Sequence, residues 1–137
     1  MFGFIKSRAQ RELNLYLRTR YDRIHPEPTQ GLFNYQCHRN TVNYVLQNPD
    51  LGLQVVECIY IDNGDPILHY LAFDPNHNLY LELTLGHFCN NYPEFYKIRT
   101  VDPSDYMIIE AEFNRAMRSW KNQFVHPLLR WAVDRVV

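Results

Sequence analysis

The stretch Ile67-Leu68-His69-Tyr70-Leu71-Ala72-Phe73-Asp74-Pro75-Asn76-His77-Asn78-Leu79-Tyr80-Leu81-Glu82-Leu83-Thr84-Leu85 reads as two strands joined by a turn. Asp74 to Asn78 collects the residue types that close turns, and the flanks are strand formers. Leu79, Leu81, Leu83 and Leu85 alternate with Tyr80, Glu82 and Thr84, so one strand face is purely apolar and the other is not. Closing the turn between Asp74 and Leu79 sets Leu71 opposite Glu82 and His69 opposite Thr84. Glu82 is then a diagonal neighbour of His69, about 7–8 Å away and within reach of a long carboxylate. A one-residue slip would send Glu82 to the other face, leaving Asp74 at the strand end as the alternative acid.

Upstream, Leu53 to Ile61 is rich in Val and Ile and is followed by the turn Asp62-Asn63-Gly64-Asp65-Pro66. The three strands form an antiparallel meander, and Phe95 to Val101 adds a short fourth. Helical spacing of Ala9, Leu13, Tyr16 and Leu17 predicts a helix from Ser7 to Ile24, ended by Pro26 and Pro28. His25 to Asn34 reads as a loop. A second helix starts near Cys37, carries Val42, Val45 and Leu46 on one stripe, and stops at Asn48-Pro49-Asp50. Asp102-Pro103-Ser104-Asp105 is a helix start. Tyr106, Ile109, Phe113, Met117, Trp120 and Phe124 then form a helical stripe, and Leu128 to Val136 a last short helix. The expectation is a single α+β domain over 1–137. In it a small antiparallel sheet of three to five strands packs against a Cys-bearing helix, with a helical scaffold over 7–24 and 103–136.

With 137 residues, 46% of them hydrophobic and 15% aromatic, the chain can bury one core without metal or disulfide support. A formal net charge of −1 leaves no electrostatic footprint for a nucleic-acid backbone, so no nucleic-acid partner is expected. No apolar run reaches the length of a membrane span, and the apolar start is broken at once by Lys6 and Arg8. Three irregularly spaced cysteines, Cys37, Cys58 and Cys89, make a poor disulfide framework and point to a reducing, cytoplasmic setting. His87-Phe88-Cys89 fits no usual zinc spacing, so neither metal nor cofactor is expected.

Cys37 stands at the first turn of its helix, where unpaired N–H groups and the positive end of the dipole favour a thiolate. A strand histidine, His69, and a strand acid, Glu82, follow in chain order. A thiol, an imidazole to hold its proton and an acceptor to orient that ring make a nucleophilic relay. The N–H of Cys37 can serve a developing oxyanion, and a side-chain amide from Gln30, Asn34 or Gln36 is a natural second donor, Gln30 being favoured. The competing reading takes Cys37 as a small buried hydrophobe and Glu82 as a solvent-facing residue of an edge strand.

Gln36-Cys37-His38-Arg39-Asn40-Thr41-Val42-Asn43-Tyr44-Val45, His69-Tyr70-Leu71-Ala72-Phe73 and Leu79-Tyr80-Leu81-Glu82-Leu83-Thr84 together resemble the papain-like cysteine hydrolase superfamily. The likeness is to its small NlpC/P60-like branch, found in bacterial and phage proteins, and it spans residues 36–84. It implies a papain-like fold with Cys37 as nucleophile, His69 as general base and Glu82 as orienting acid, in place of the more usual Asp or Asn. The substrate would be a peptide or protein, cut or deamidated at an amide or acyl bond. The alternative is a non-catalytic phage or bacterial accessory protein on a degenerate papain-like fold. It would bind a host protein through the aromatic-rich segment Phe88 to Tyr96.

Overall fold

The computed structural model describes residues 2–29, 31–34 and 36–107, with the side chains of 2–7 left aside. Helix α1 runs over Phe2–Arg20 and α2 over Cys37–Gln47. The strands are β1 (Arg23–Ile24), β2 (Glu27–Pro28), β3 (Gln54–Asp62), β4 (Asp65–Asp74), β5 (Leu79–Glu82) and β6 (Phe95–Val101). They form one six-stranded sheet in the order β1-β6-β3-β4-β5-β2. The α+β class is as read from the sequence, but six strands replace the expected three to five.

The two extra strands come from the proline-containing segment read as loop and helix end. Ile24 pairs with Phe95 in antiparallel sense, so α1 stops at Arg20 and not at Ile24. Glu27 and Pro28 pair with Leu81 and Glu82 in parallel, which makes the sheet mixed and not purely antiparallel. Two-residue strands are too short to show alternation, and Pro28 is tolerated because β2 lies at the sheet edge. The central meander has the expected register, with Asp74 opposite Leu79 and Cys58 opposite His69.

One sheet face carries Val55, Ile59, Leu68, Tyr70, Tyr96 and Val101. Leu17 of α1 packs against Ile59, Leu68 and Tyr96, and Cys37, Val42 and Val45 of α2 pack against Val55, Tyr70 and Val101. The other face holds Cys58, Tyr60, Leu71 and Phe95, closed by Ile24, Cys89, Tyr92 and Leu85 from the connecting segments. The rings of the aromatic segment Phe88 to Tyr96 divide between core and surface. Phe95 and Tyr96 are buried and Tyr92 packs on the core, while Phe88 is 47% exposed. Asp102 accepts from the Ser104 N–H as the cap reading predicts, at the head of a 3-10 turn, Pro103–Asp105. The helical stripes over 106–124 and 128–136 lie outside the described residues, apart from Tyr106 and Met107.

Candidate functional site

Helix α2 opens at Cys37, and its N-cap residue, Gln36, makes no side-chain capping bond. Thr41, one turn on, donates its hydroxyl to the Cys37 carbonyl at 2.7 Å and lies 3.3 Å from the Tyr70 carbonyl of β4. β5 has ended by then, because Glu82 bends its own carboxylate back onto the chain. Its Oε1 accepts the N–H groups of Thr84 at 2.7 Å and Leu85 at 2.8 Å, which draws those donors away from any ladder. The start of α2 thus occupies the edge of β4 that β5 leaves open.

A helix that presents its cysteine to His69 is expected to pack on the His69 face, but α2 packs on the other one. The His69 face is already filled: the imidazole lies edge-on to Tyr60 at 5.4 Å and near Phe95 at 6.4 Å. The apolar stripe of α2 therefore goes to the opposite face, and its first residue meets His69 at the edge of β4. There Cys37 comes close enough to the His69 ring to raise its pKa.

The second ring nitrogen, Nε2, lies 2.6 Å from Glu82 Oε2. With Nε2 so engaged, Nδ1 is the nitrogen left for the sulfur. His69 is 3% exposed and Glu82 0%, while Cys37 is only partly buried. A partly buried cysteine, a buried imidazole and a fully buried carboxylate follow the order of exposure a relay requires.

Burial pushes the His69 imidazole down, but hydrogen bonds to Cys37 and Glu82 and the charges beside it outweigh that cost. Together they raise it from 6.5 to about 9. The ring is then an imidazolium at neutral pH, the partner a negative sulfur needs. Burial drives the other two thiols the opposite way for reactivity: Cys58 is pushed well up, and Cys89 is pushed up to about 11.

Asp74, the alternative acid, serves the turn. It accepts from the N–H groups of Asn76 and His77 and lies 2.8 Å from His77 Nδ1, which holds its carboxyl below the usual range. Of the three oxyanion candidates, Asn34 is engaged in a reciprocal amide pair with Asn40. Gln36 is exposed at the helix start, and Gln30 lies outside the described residues.

Asn40 joins segments that nothing in its sequence spacing brings together. It is 8% exposed and donates to Thr84 Oγ1 at 2.9 Å as well as to Asn34 Oδ1 at 2.8 Å. Asn34 Oδ1 also accepts the N–H of Gln36 at 3.1 Å. One continuous set of hydrogen bonds therefore ties the start of α2 to the turn capped by Glu82. Asn40→Ala is expected to cost about 2 kcal/mol in urea unfolding, because it leaves buried partners unsatisfied. Thr84→Val made on that background should add little, since the bond it removes is already lost, and a double-mutant cycle measures this.

No protein-family model, curated protein or solved structure matches the chain. Among the described residues no group of three or more His, Cys, Asp or Glu is placed to hold a metal ion. Among them, too, no helix is long and apolar enough to cross a membrane.

Proposed function

We propose that the protein is a cysteine hydrolase of papain-like type that acts on an amide or acyl bond of a peptide or protein. One observation carries the reading: a fully buried carboxylate spends one oxygen on His69 and the other on two backbone N–H groups, with the partly buried Cys37 close to the same ring. A buried ion pair contributes little net stability, since desolvation offsets its attraction, so packing alone gives no reason to keep one.

In this mechanism Cys37 Sγ attacks the carbonyl carbon as a thiolate. The N–H of Cys37 at the head of α2 steadies the oxyanion, with Gln30 as the proposed side-chain donor. The imidazolium of His69 gives its proton to the leaving nitrogen as the carbon–nitrogen bond breaks. Water, deprotonated by the now neutral ring, then attacks the thioester and releases the acid and the free sulfur. Glu82 holds the ring's orientation throughout and stabilises the ring whenever it is protonated.

The pH dependence of Cys37 alkylation by iodoacetamide tests the reading without a substrate. Between pH 8 and pH 6 an unassisted thiol loses nearly all its thiolate, roughly a hundredfold in rate. Cys37 should lose less than about tenfold, as expected of a thiol that works as a pair with His69. A full hundredfold fall, followed residue by residue with mass spectrometry, contradicts the proposal.

A further inference from the structure

Thr84 has three bonds that converge on one place. Its N–H goes to Glu82, its hydroxyl receives Asn40 of the nucleophile helix, and its carbonyl accepts the N–H of Phe33 at 3.0 Å. Phe33 is thus tied to the same residue that joins the acid to α2, four positions before Cys37. Its backbone sits at φ 51°, a region that side chains other than glycine rarely adopt. Its ring lies so close over Gly31 that a Cβ there would meet it at 2.5 Å. The ring packs edge-on against Phe88 at 5.7 Å, and His87 lies 4.3 Å from Phe88.

Phe88 is held equally firmly, on a short 3-10 helix, Gly86–Asn91, whose next residue, Cys89, is buried in the core. Yet Leu32, Phe33 and Phe88 are 49%, 52% and 47% exposed. Beside them is a cavity of about 330 Å³ lined by Pro28, Thr29, Gly31, Phe33, Gly86 and His87, with no carboxylate, lysine or arginine among them. That volume is at the low end for ligand pockets and suits one side chain.

We infer that this aromatic shelf is a specificity subsite of the Cys37 centre, seating a large apolar side chain, aromatic or leucine-sized, next to the scissile bond of a polypeptide substrate. The inference rests on the thiol-nucleophile reading above. A lining without a charged side chain, tied through Thr84 to the residues around Glu82, selects against Lys or Glu at that position, which would enter without a partner.

The test uses acetyl-Xaa-Gly and acetyl-Gly-Xaa chloromethyl ketones, with Xaa as Phe, Leu, Lys or Glu. Each Cys37 modification rate is divided by the same protein's iodoacetamide rate. In one of the two series, Phe and Leu probes should react at least roughly tenfold faster than Lys and Glu probes, the scale set by burying one such side chain. Phe33→Ala and Phe88→Ala should each bring the ratio close to one. Absence of any preference in both series, or a preference that survives both substitutions, overturns the subsite. Failure of the nucleophile reading shows differently, as an iodoacetamide rate that His69→Ala leaves unchanged.

Discussion

His69→Ala is expected to slow iodoacetamide alkylation of Cys37 at pH 6 by about twentyfold. Without a cationic partner, an ordinary thiol near 8.5 is only about 0.3% ionised at that pH, a loss approaching three hundredfold in thiolate. The thiolate that remains is the stronger nucleophile, and a Brønsted slope of about 0.4–0.5 cancels roughly half of the logarithmic loss. Cys58 and Cys89 are buried with raised thiols, so their slow labelling follows from burial alone and decides nothing. The contrast between the wild type and the His69→Ala protein is what matters. Equal rates would leave Cys37 as an ordinary half-buried thiol.

The same group has a stability signature whose sign is set by its shift. Folding raises His69 from 6.5 to about 9, so its stabilisation is complete below pH 6.5 and is lost as pH rises through about 9. Unfolding free energy in urea should therefore decline across that window, on the order of a few kcal/mol, and His69→Ala should flatten the decline.

Glu82→Ala is expected to be the most destabilising single change at the site, at about 3–5 kcal/mol, the usual result of removing one partner from a buried pair. It strands an imidazolium and two backbone donors, those of Thr84 and Leu85, in a place with no exposed surface. Against a total stability of roughly 5–15 kcal/mol, that change brings the domain close to unfolding. Glu82→Gln separates the two duties of the carboxylate. Its amide oxygen still accepts from Thr84 and Leu85, while its NH2 donates to Nε2 and favours the neutral ring. The Glu82→Gln protein should keep most of its stability, show a His69 NMR titration well below the wild type, and lose Cys37 reactivity at pH 6. A Glu82→Ala cost under about 1 kcal/mol would show the carboxylate to be dispensable.

Much of the central sheet is legible in local chemistry. Asp74-Pro75-Asn76-His77-Asn78 determines where the β4–β5 turn closes, and the leucine alternation in β5 determines which face Glu82 takes. Those two features point to Glu82 beside His69, and the observed pairing closes the choice against a one-residue slip and Asp74. The helix start at Cys37 is equally local, through the apolar stripe ahead and the stop at Asn48-Pro49. By contrast, β1 and β2 are strands only because β6 and β5 offer them partners, and nothing within Arg23–Pro28 encodes that. The Asn34–Asn40 pair is invisible for the same reason: two amides six residues apart face each other only once the intervening turn has folded.

By itself, then, the sequence determined the α+β class and the identity of a thiol, an imidazole and an acid in that order. Periodicity and turn chemistry act over a few residues, and such information survives in a linear chain. The tertiary structure alone decided that α2 packs on the Tyr70 face and brings its first residue round the edge of β4 to His69. That choice depends on backbone groups left open where Glu82 ends β5, and on aromatic rings from distant segments filling the other face. Competition for space and for hydrogen-bond partners is settled only when the whole core assembles.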